Sequence, residues 1–184
     1  MLVKTFAGAV HGVDAQTITV EVNTGGNMGN TDKPAYYIVG LPDSAVREGQ
    51  ARIEAALKNA GIRLPRLKTI VNLAPADLRK EGSAYDLPIA IGMLAGAGVI
   101  ASEPLERFFI MGELSLDGSL RPIKGALPIA IQARREKFRG FILPKSNARE
   151  AAIVSDLEVF GVDNLSEALE VLAGETSIQP TVVN

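Results

Sequence analysis

Few of the residue types that usually carry catalytic chemistry occur in this chain of 184 residues. It contains no Cys and a single His, His11. Without thiols there is no disulfide, no cysteine-based zinc site and no cysteine nucleophile. One His also excludes a multi-histidine metal site within one chain, so we expect no metal site here. Because no recognisable motif places a Ser or Asp beside His11, we interpret it as a surface or strand-end residue.

Two glycine-containing segments come near to a phosphate-binding loop without forming one. Such a loop needs G-x-x-x-x-G-K-[ST] between a strand and a helix. The segment GGNMG (25–29) lacks the Lys-Ser/Thr pair and lies between predicted strands, which favours a hairpin tip. In GFILPKS (140–146), Pro144 stands at the second Gly position and offers no N–H to a phosphate. We therefore expect no ATP site and no bound cofactor in this chain.

The most unusual polar segment is NLAPADLRKEGSAYDLPIA, residues 72–90. It joins a predicted buried strand to a predicted buried helix, which is where α/β proteins often place a site. The simpler interpretation is that Asp86 caps the helix and that Arg79, Lys80 and Glu81 form a solvated turn. The residues themselves leave both interpretations open.

Basic residues fall into two groups that could contact phosphate. The net charge of −2 gives the whole chain no positive field, but a local patch remains an alternative to solvated faces. Interleaved acidic residues and the low aromatic content, 5%, favour solvated faces. One group is Arg63, Arg66, Lys68, Arg79 and Lys80, and the other is Arg134, Arg135, Lys137 and Arg139.

Hydrophobic periodicity predicts the elements that must position these side chains. Period-two alternation and short apolar runs predict strands, and apolar residues at helical spacing predict helices. The predicted strands are 3–10, 13–23, 36–41, 69–73, 107–114, 141–143 and 158–162, and Asp117-Gly118 predicts a hairpin turn into Leu120 and Arg121. The predicted helices are 44–61, capped by Asp43 or Ser44, then 86–98, 125–137, 147–155 and 165–173.

This order of elements predicts one mixed α/β or α+β domain over residues 1–173, with helices packed against a sheet, and we assign it to the α+β class. The helix LPIAIGMLAGAG is apolar on every side, so we expect it between two layers. The longest uncharged apolar stretch, 87–101, has 15 residues and is too short to span a bilayer. We expect no membrane contact and a cytoplasmic location, and we interpret residues 174–184 as a tail or linker.

Three long segments carry a resemblance to a known family. VGLPDSAVRE (39–48), VNLAPADLRKEGSAYDLPIA (71–90) and GELSLDGSLRPIKGALPIA (112–130) resemble the N-terminal domain of magnesium-chelatase-like AAA+ ATPases, the ComM/YifB competence group. The resemblance covers about residues 2–173. It implies that the tail leads toward an ATPase module absent from this chain, where ATP and magnesium would bind.

The same segments more distantly resemble the Lon protease domain and the C-terminal domain of RadA, which share the fold of domain 2 of ribosomal small-subunit protein five. In Lon, a Ser in one of these segments pairs with a Lys in another. The resemblance puts Ala84 at the Ser position and Leu127 at the Lys position. Because Ala has no nucleophile and Leu no proton acceptor, the resemblance implies no catalytic dyad. Ser83 and Lys124 lie one and three residues early.

The resemblance implies a non-catalytic accessory domain that supports ring assembly, as a homo-oligomer with its own AAA+ module, or DNA contact in a branch-migration motor. Candidate DNA or partner contacts are Arg79, Lys80 and the cluster Arg134, Arg135, Lys137 and Arg139. One alternative is a Ser-Lys peptidase with a shifted dyad, Ser83 and Lys124. Another, suggested by the family name, is a subunit for magnesium insertion into porphyrin.

Overall fold

A long β-hairpin opens the fold. In the computed structural model, which describes residues 1–26, 35–175 and 177–183, β1 (Leu2–His11) and β2 (Asp14–Thr24) pair antiparallel along their whole length. Both strands were predicted, and the alternation over residues 17–22 is confirmed by burial of Ile18, Val20 and Val22 on one face of β2, whereas residues 7–9 of β1 are all buried. His11 is exposed at the end of β1, where the sequence placed it. Most of the predicted glycine-rich loop lies outside the described residues.

Strands and helices alternate after the hairpin. The described elements that follow are β3 (Tyr36–Val39), α1 (Ser44–Arg47), α2 (Gly49–Asn59), β4 (Thr69–Ala74), α3 (Asp86–Gly96), a short 3-10 helix (Glu103–Arg107), β5 (Phe108–Ile110), β6 (Glu113–Leu114), β7 (Leu120–Arg121), α4 (Ala126–Arg135), β8 (Gly140–Pro144), α5 (Lys145–Ala151), β9 (Glu158–Val162) and α6 (Leu165–Leu172).

Seven of these strands form one mixed sheet in the order β3-β4-β2-β1-β5-β8-β9. The β1–β2 and β2–β4 pairs are antiparallel, whereas β3–β4, β1–β5, β5–β8 and β8–β9 are parallel. The short β6 and β7 form a separate hairpin. The fold is therefore a single mixed α/β domain, which confirms the predicted α+β class.

Helices cover opposite faces of the central strands. On one face, Thr5 of β1 donates its hydroxyl to the Pro88 carbonyl of α3 at 3.0 Å. On the other face, Gln132 of α4 donates to the Thr17 hydroxyl of β2 at 2.9 Å. Thr17 is the cross-strand partner of Gly8, and residues 5 and 8 point to opposite faces of a strand. Sheet and helices therefore form three layers.

The apolar helix α3 lies between the sheet and α2, as its all-apolar sequence predicted. All eleven of its residues are buried. Gly92 permits this approach, because a Cβ at that position would lie 2.6 Å from Cγ2 of Val22. Burial on every side removes the apolar surface of this helix from water, and burial of apolar surface is the dominant favourable term in folding.

Two predicted elements are each divided in the structure, and the predicted helix 147–155 is α5, Lys145–Ala151. The predicted strand 107–114 is divided between β5 and β6, because the chain leaves the main sheet at Gly112. The Gly112 N–H donates to the Ala84 carbonyl at 2.9 Å, and its carbonyl accepts from the Leu87 N–H at 3.0 Å. The predicted helix 44–61 is likewise two helices, α1 and α2, that meet at Glu48.

The segment interpreted as a tail or linker packs against the domain where it is described. The Thr181 N–H donates to the Val159 carbonyl of the edge strand β9 at 2.7 Å. Ile178 is half-buried against the core. The role of residues 174–184 as a linker stays a prediction. None of the helices in the described ranges is long and apolar enough to cross a membrane.

Candidate functional site

The loops that follow β3 and β4 meet and place the polar segment 75–85 beside α1. The Lys80 N–H donates to the Leu41 carbonyl, and the Asp43 N–H donates to the Lys80 carbonyl, both at 3.0 Å. The Asp43 carboxylate caps α1 by accepting from the Val46 N–H at 2.8 Å, and it also accepts from the Gly82 N–H at 3.1 Å. Asp43 is thus one of the two predicted caps, and it also joins the two loops.

Lys80 lies inside this junction, which corrects its assignment as a solvated residue and a DNA contact. Its side chain is fully buried, with 0% exposure. Its ammonium group donates to the Gly40 carbonyl at 2.8 Å and to the Pro75 carbonyl. Burial lowers the pKa of Lys80, and the charge of Asp77 opposes that shift. A side chain enclosed in this way cannot reach a phosphate in solution.

Gly40 lets the β3 loop approach β4 closely enough for this contact. Its φ is +103°, a backbone conformation that side chains rarely adopt. A Cβ at this position would lie 2.1 Å from the carbonyl oxygen of Leu73. The close approach therefore depends on glycine for both backbone conformation and space.

Asp86 forms a buried ion pair instead of capping α3, which corrects the second expectation for this segment. Its carboxylate accepts from Arg52 Nε at 2.6 Å and Nη2 at 3.1 Å, and from the Leu114 N–H at 3.1 Å. Burial raises the pKa of Asp86, and the hydrogen bonds from Arg52 and Leu114 oppose the rise. The N-cap position of α3 belongs to Tyr85, whose side chain makes no capping bond.

Gly49 makes room for the ion pair at the start of α2. A Cβ there would lie 2.6 Å from Oδ1 of Asp86. The Arg52 guanidinium also donates to the Ala45 carbonyl of α1 at 2.7 Å. The pair therefore connects α1, α2, α3 and β6, and its geometry is that of a structural clamp.

Ser83 has a carboxylate partner. Its hydroxyl donates to Glu113, whose other oxygen lies 3.5 Å from Arg121 Nε. Lys124 is exposed beyond β7, and no described contact joins it to Ser83. A serine nucleophile needs a base that accepts its proton within hydrogen-bond reach, and an amine is not among the described partners of Ser83.

The two positions that the resemblance assigned to the Lon dyad hold packed apolar side chains. Ala84 and Leu127 are half-buried against the core. The Ala84 carbonyl accepts from the Gly112 N–H, and the Leu127 N–H donates to Glu150 at 3.0 Å. These contacts involve the backbone of both residues, so their side chains contribute packing.

The second basic group lies at the end of α4 and in the turn to β8. Arg134, Arg135, Lys137 and Arg139 are all exposed. Arg139 lies 3.7 Å from Glu158 and 5.7 Å from the ring centre of Phe108. Arg134 and Arg135 form the last turn of α4, and Arg135 Nη1 donates to Gln132 Oε1 at 3.0 Å.

The structure adds Arg107 to this group, which sequence reasoning missed. The Arg139 N–H donates to the Arg107 carbonyl at 2.9 Å, where β5 and β8 begin their parallel pairing. Arg107 is exposed. Parallel pairing of the predicted strands that became β5 and β8 was the signal that could have placed Arg107 beside Arg139. We call Arg107, Arg134, Arg135, Lys137 and Arg139 the α4 basic cluster.

Arg79 is exposed but does not belong to the α4 basic cluster. It pairs with Glu81 at 3.4 Å in the loop after β4. Three strands, β2, β1 and β5, separate β4 from β8 in the sheet. The sequence-predicted basic residues thus occupy separate parts of the surface. Within the described ranges, no three His, Cys, Asp or Glu side chains are grouped so that they could hold a metal ion.

Comparison with known proteins shows the family. The model for subunit ChlI of Mg-chelatase matches residues 20–147. Competence protein ComM of Haemophilus influenzae is 38% identical over 177 residues, which is 96% of this chain and 34% of that protein. YifB of Salmonella typhimurium is 37% identical over 171 residues, 93% of this chain and 33% of that protein.

A weaker match extends the comparison. DNA repair protein RadA of Escherichia coli is 28% identical over 115 residues, 62% of this chain and 24% of that protein. The chain spans about a third of the length of the ComM and YifB relatives that it matches. By the family model and by these two relatives, the chain belongs to the Mg-chelatase-like ChlI family, in the ComM/YifB group.

Proposed function

We propose that this domain is a non-catalytic accessory part of a magnesium-chelatase-like AAA+ ATPase and that its α4 basic cluster contacts the DNA phosphate backbone. The observation that carries the proposal is the grouping of exposed cations at one helix end and one strand start: Arg107, Arg134, Arg135, Lys137 and Arg139. Exposed Lys and Arg side chains supply the sequence-independent, salt-dependent part of DNA affinity.

The environment of Ser83 supports the non-catalytic part of the proposal. Its hydroxyl is bonded to Glu113, and the positions that the resemblance assigned to the Lon dyad hold Ala84 and Leu127. A hydroxyl without an adjacent amine or imidazole remains a weak nucleophile. We therefore assign the domain a role in binding or assembly.

The names of two relatives support the DNA part of the proposal. One relative is called a competence protein and another a DNA repair protein. The chain covers about a third of the length of ComM and of YifB. In this proposal, ATP and magnesium binding and assembly into a homo-oligomeric ring therefore belong to parts of the protein outside this chain. The proposal also implies a cytoplasmic location, where DNA is accessible.

A titration of fluorescently labelled duplex DNA at several salt concentrations tests the DNA contact. In the double variant Arg134→Glu/Arg135→Glu, the affinity should fall at least about tenfold, and the salt slope should decrease by about 2 if each side chain neutralises one phosphate. Arg63→Glu is the matched control, because Arg63 is exposed before β4, away from the cluster. It should leave affinity and slope near the parent values.

Equal losses of affinity in both variants would indicate a diffuse charge effect and contradict the assignment. An unchanged affinity in the double variant would also contradict it. The same DNA titration with Arg79→Glu tests the loop after β4. A loss there equal to that of the double variant would move the contact to the loop after β4 instead of the end of α4.

The peptidase alternative has a separate test. A fluorophosphonate probe should leave Ser83 unlabelled at high concentration, because the partner of its hydroxyl is the Glu113 carboxylate, a much weaker base than an amine or imidazole. Labelling that disappears in Lys124→Ala would instead support a shifted dyad. Porphyrin binding by the full-length protein tests the magnesium-insertion alternative, for which the described residues offer no specific support.

A further inference from the structure

A cavity of about 670 Å³ lies between α2, the segment 61–67 and the C-terminal end of α3. Its size falls within the range of about 300–1,000 Å³ that is typical of sites for small molecules. The α4 basic cluster contributes none of its described lining. The cavity is therefore separate from the surface proposed to contact DNA.

The inner wall of the cavity is largely apolar. Leu57, Ile62, Leu64 and Met93 line it from three different segments. Leu57 and Met93 are buried, and Ile62 and Leu64 are partly buried against the core. A concave apolar wall favours a ligand with an apolar body, since burying that body removes it from water.

The mouth of the cavity is basic. Lys58 and Arg63 line it and are exposed, and Arg66 lines it as well. Glu54 is the acidic side chain in the described lining, and it accepts from Gln50 Nε2 at 3.3 Å. The cations outnumber the carboxylate, so the field at the mouth favours an anionic group.

Tyr36 carries a buried hydroxyl that has no described hydrogen-bond partner. Burial raises the pKa of Tyr36, with smaller contributions from Asp86 and Glu54, so the hydroxyl stays protonated as a donor. Buried polar groups without partners are uncommon in proteins, and this one belongs to a residue that lines the cavity.

We propose that this cavity binds a small amphipathic anion, with its apolar body against the wall between α2 and segment 61–67 and its anionic group at Lys58 and Arg63. A flat or convex macromolecular surface would not reach the inner wall, whereas a molecule of one or two rings fits the volume. The site is independent of the proposed DNA contact.

A matched pair of fluorescent probes tests the proposal. Anilinonaphthalene sulfonate has an apolar body and one anionic group, and phenylnaphthylamine has the same body without the sulfonate. The sulfonate should bind with one-to-one stoichiometry and about tenfold more tightly than the uncharged probe at low salt, because Lys58 and Arg63 attract its charge.

Three variants distinguish the outcomes. Arg63→Glu should abolish the preference for the charged probe, whereas Arg134→Glu, the same change in the α4 basic cluster, should preserve it. Ala97→Leu fills the cavity from the end of α3 and should weaken both probes, with thermal unfolding confirming that it folds. Binding that Ala97→Leu leaves unchanged, or an equal response to Arg63→Glu and Arg134→Glu, would overturn the proposal.

The two proposals fail separately. If DNA affinity depends on Arg134 and Arg135 while neither probe binds at the cavity, the cavity proposal alone is wrong. If the probes bind as described while the DNA affinity is insensitive to Arg134 and Arg135, the DNA proposal alone is wrong. Arg63→Glu and Arg134→Glu thus serve as each other's controls.

Discussion

The ammonium group of Lys80 donates to the Gly40 carbonyl at 2.8 Å and thereby ties the loop after β4 to the loop after β3. The same side chain donates to the Pro75 carbonyl. Two carbonyls from different loops thus share one lysine as donor, and the Pro75 carbonyl also accepts from the Leu78 N–H at 3.4 Å. A lysine that is fully buried and hydrogen-bonded in this way acts as a structural cross-link between loops.

Lys80→Met should destabilise the domain by about 2–4 kcal/mol, because the Met side chain keeps the stem but leaves the Gly40 and Pro75 carbonyls without the lysine donor. Equilibrium unfolding in urea, followed by circular dichroism, measures the change. Arg79→Met is the control, because Arg79 is exposed in the same loop, and it should change the free energy of unfolding by less than about 0.5 kcal/mol. Equal effects would show that Lys80 is not a cross-link.

Asp86→Ala should cost about 3–5 kcal/mol, because it leaves the Arg52 guanidinium and the Leu114 N–H without their acceptor in a buried place. Thermal and urea unfolding both report the loss. Glu81→Ala removes the carboxylate of the exposed pair with Arg79 and should cost less than about 1 kcal/mol. A cost for Asp86→Ala no greater than that for Glu81→Ala would contradict the role of the buried pair as a clamp.

Removing the hydroxyls of two buried tyrosines should have opposite effects. The Tyr36 hydroxyl has no described partner, so Tyr36→Phe should be neutral or stabilise the domain by about 1 kcal/mol. The Tyr85 hydroxyl donates to the Gly8 carbonyl at 3.4 Å, so Tyr85→Phe should destabilise it by up to about 1 kcal/mol. Urea unfolding of both variants against the parent gives the signs. Destabilisation by Tyr36→Phe would mean that its hydroxyl has a partner.

Alkaline pH should destabilise the domain through the same two tyrosines. Burial raises the pKa of Tyr36 and Tyr85 well above the ordinary value of about 10. Above that value the unfolded chain loses its tyrosine protons first and holds fewer protons than the folded chain. The free energy of unfolding should therefore fall as the pH rises above about 10.

Tyrosinate absorbance measures this directly, in the folded protein and in the protein unfolded by guanidinium. The folded protein should titrate at higher pH, and the delayed part of its titration should shrink in Tyr36→Phe and in Tyr85→Phe. Coincident titrations of the folded and unfolded protein would contradict the burial of both hydroxyls.

The elements of this fold follow largely from local patterns. Alternation along β2 predicted a strand of the opening hairpin, and the apolar run of α3 predicted a helix buried on every side. The Asp43 cap was predicted because capping depends on residues three apart in the chain. Division of the predicted strand 107–114 was not predictable, because the break at Gly112 depends on hydrogen bonds to residues 84 and 87.

For the candidate site, too, some properties followed from the sequence and others only from the tertiary structure. The lack of Cys and the presence of a single His excluded thiol and multi-histidine chemistry from composition. The resemblance of three segments to a known family implies that Ala84 and Leu127 stand where a nucleophile and a base would be, and this stays a prediction. Both results depend only on which residue types occur at which positions.

The surroundings of charged side chains were decided by the tertiary structure. The sequence placed Lys80 in a solvated turn and Asp86 at a helix cap, yet the first is enclosed by Gly40 and Pro75, and the second pairs with Arg52, 34 residues away. A charged residue type does not specify its own burial, because the partners that offset its desolvation come from distant segments. Arg107 likewise joins Arg139 only through the pairing of β5 and β8, which no local pattern contains.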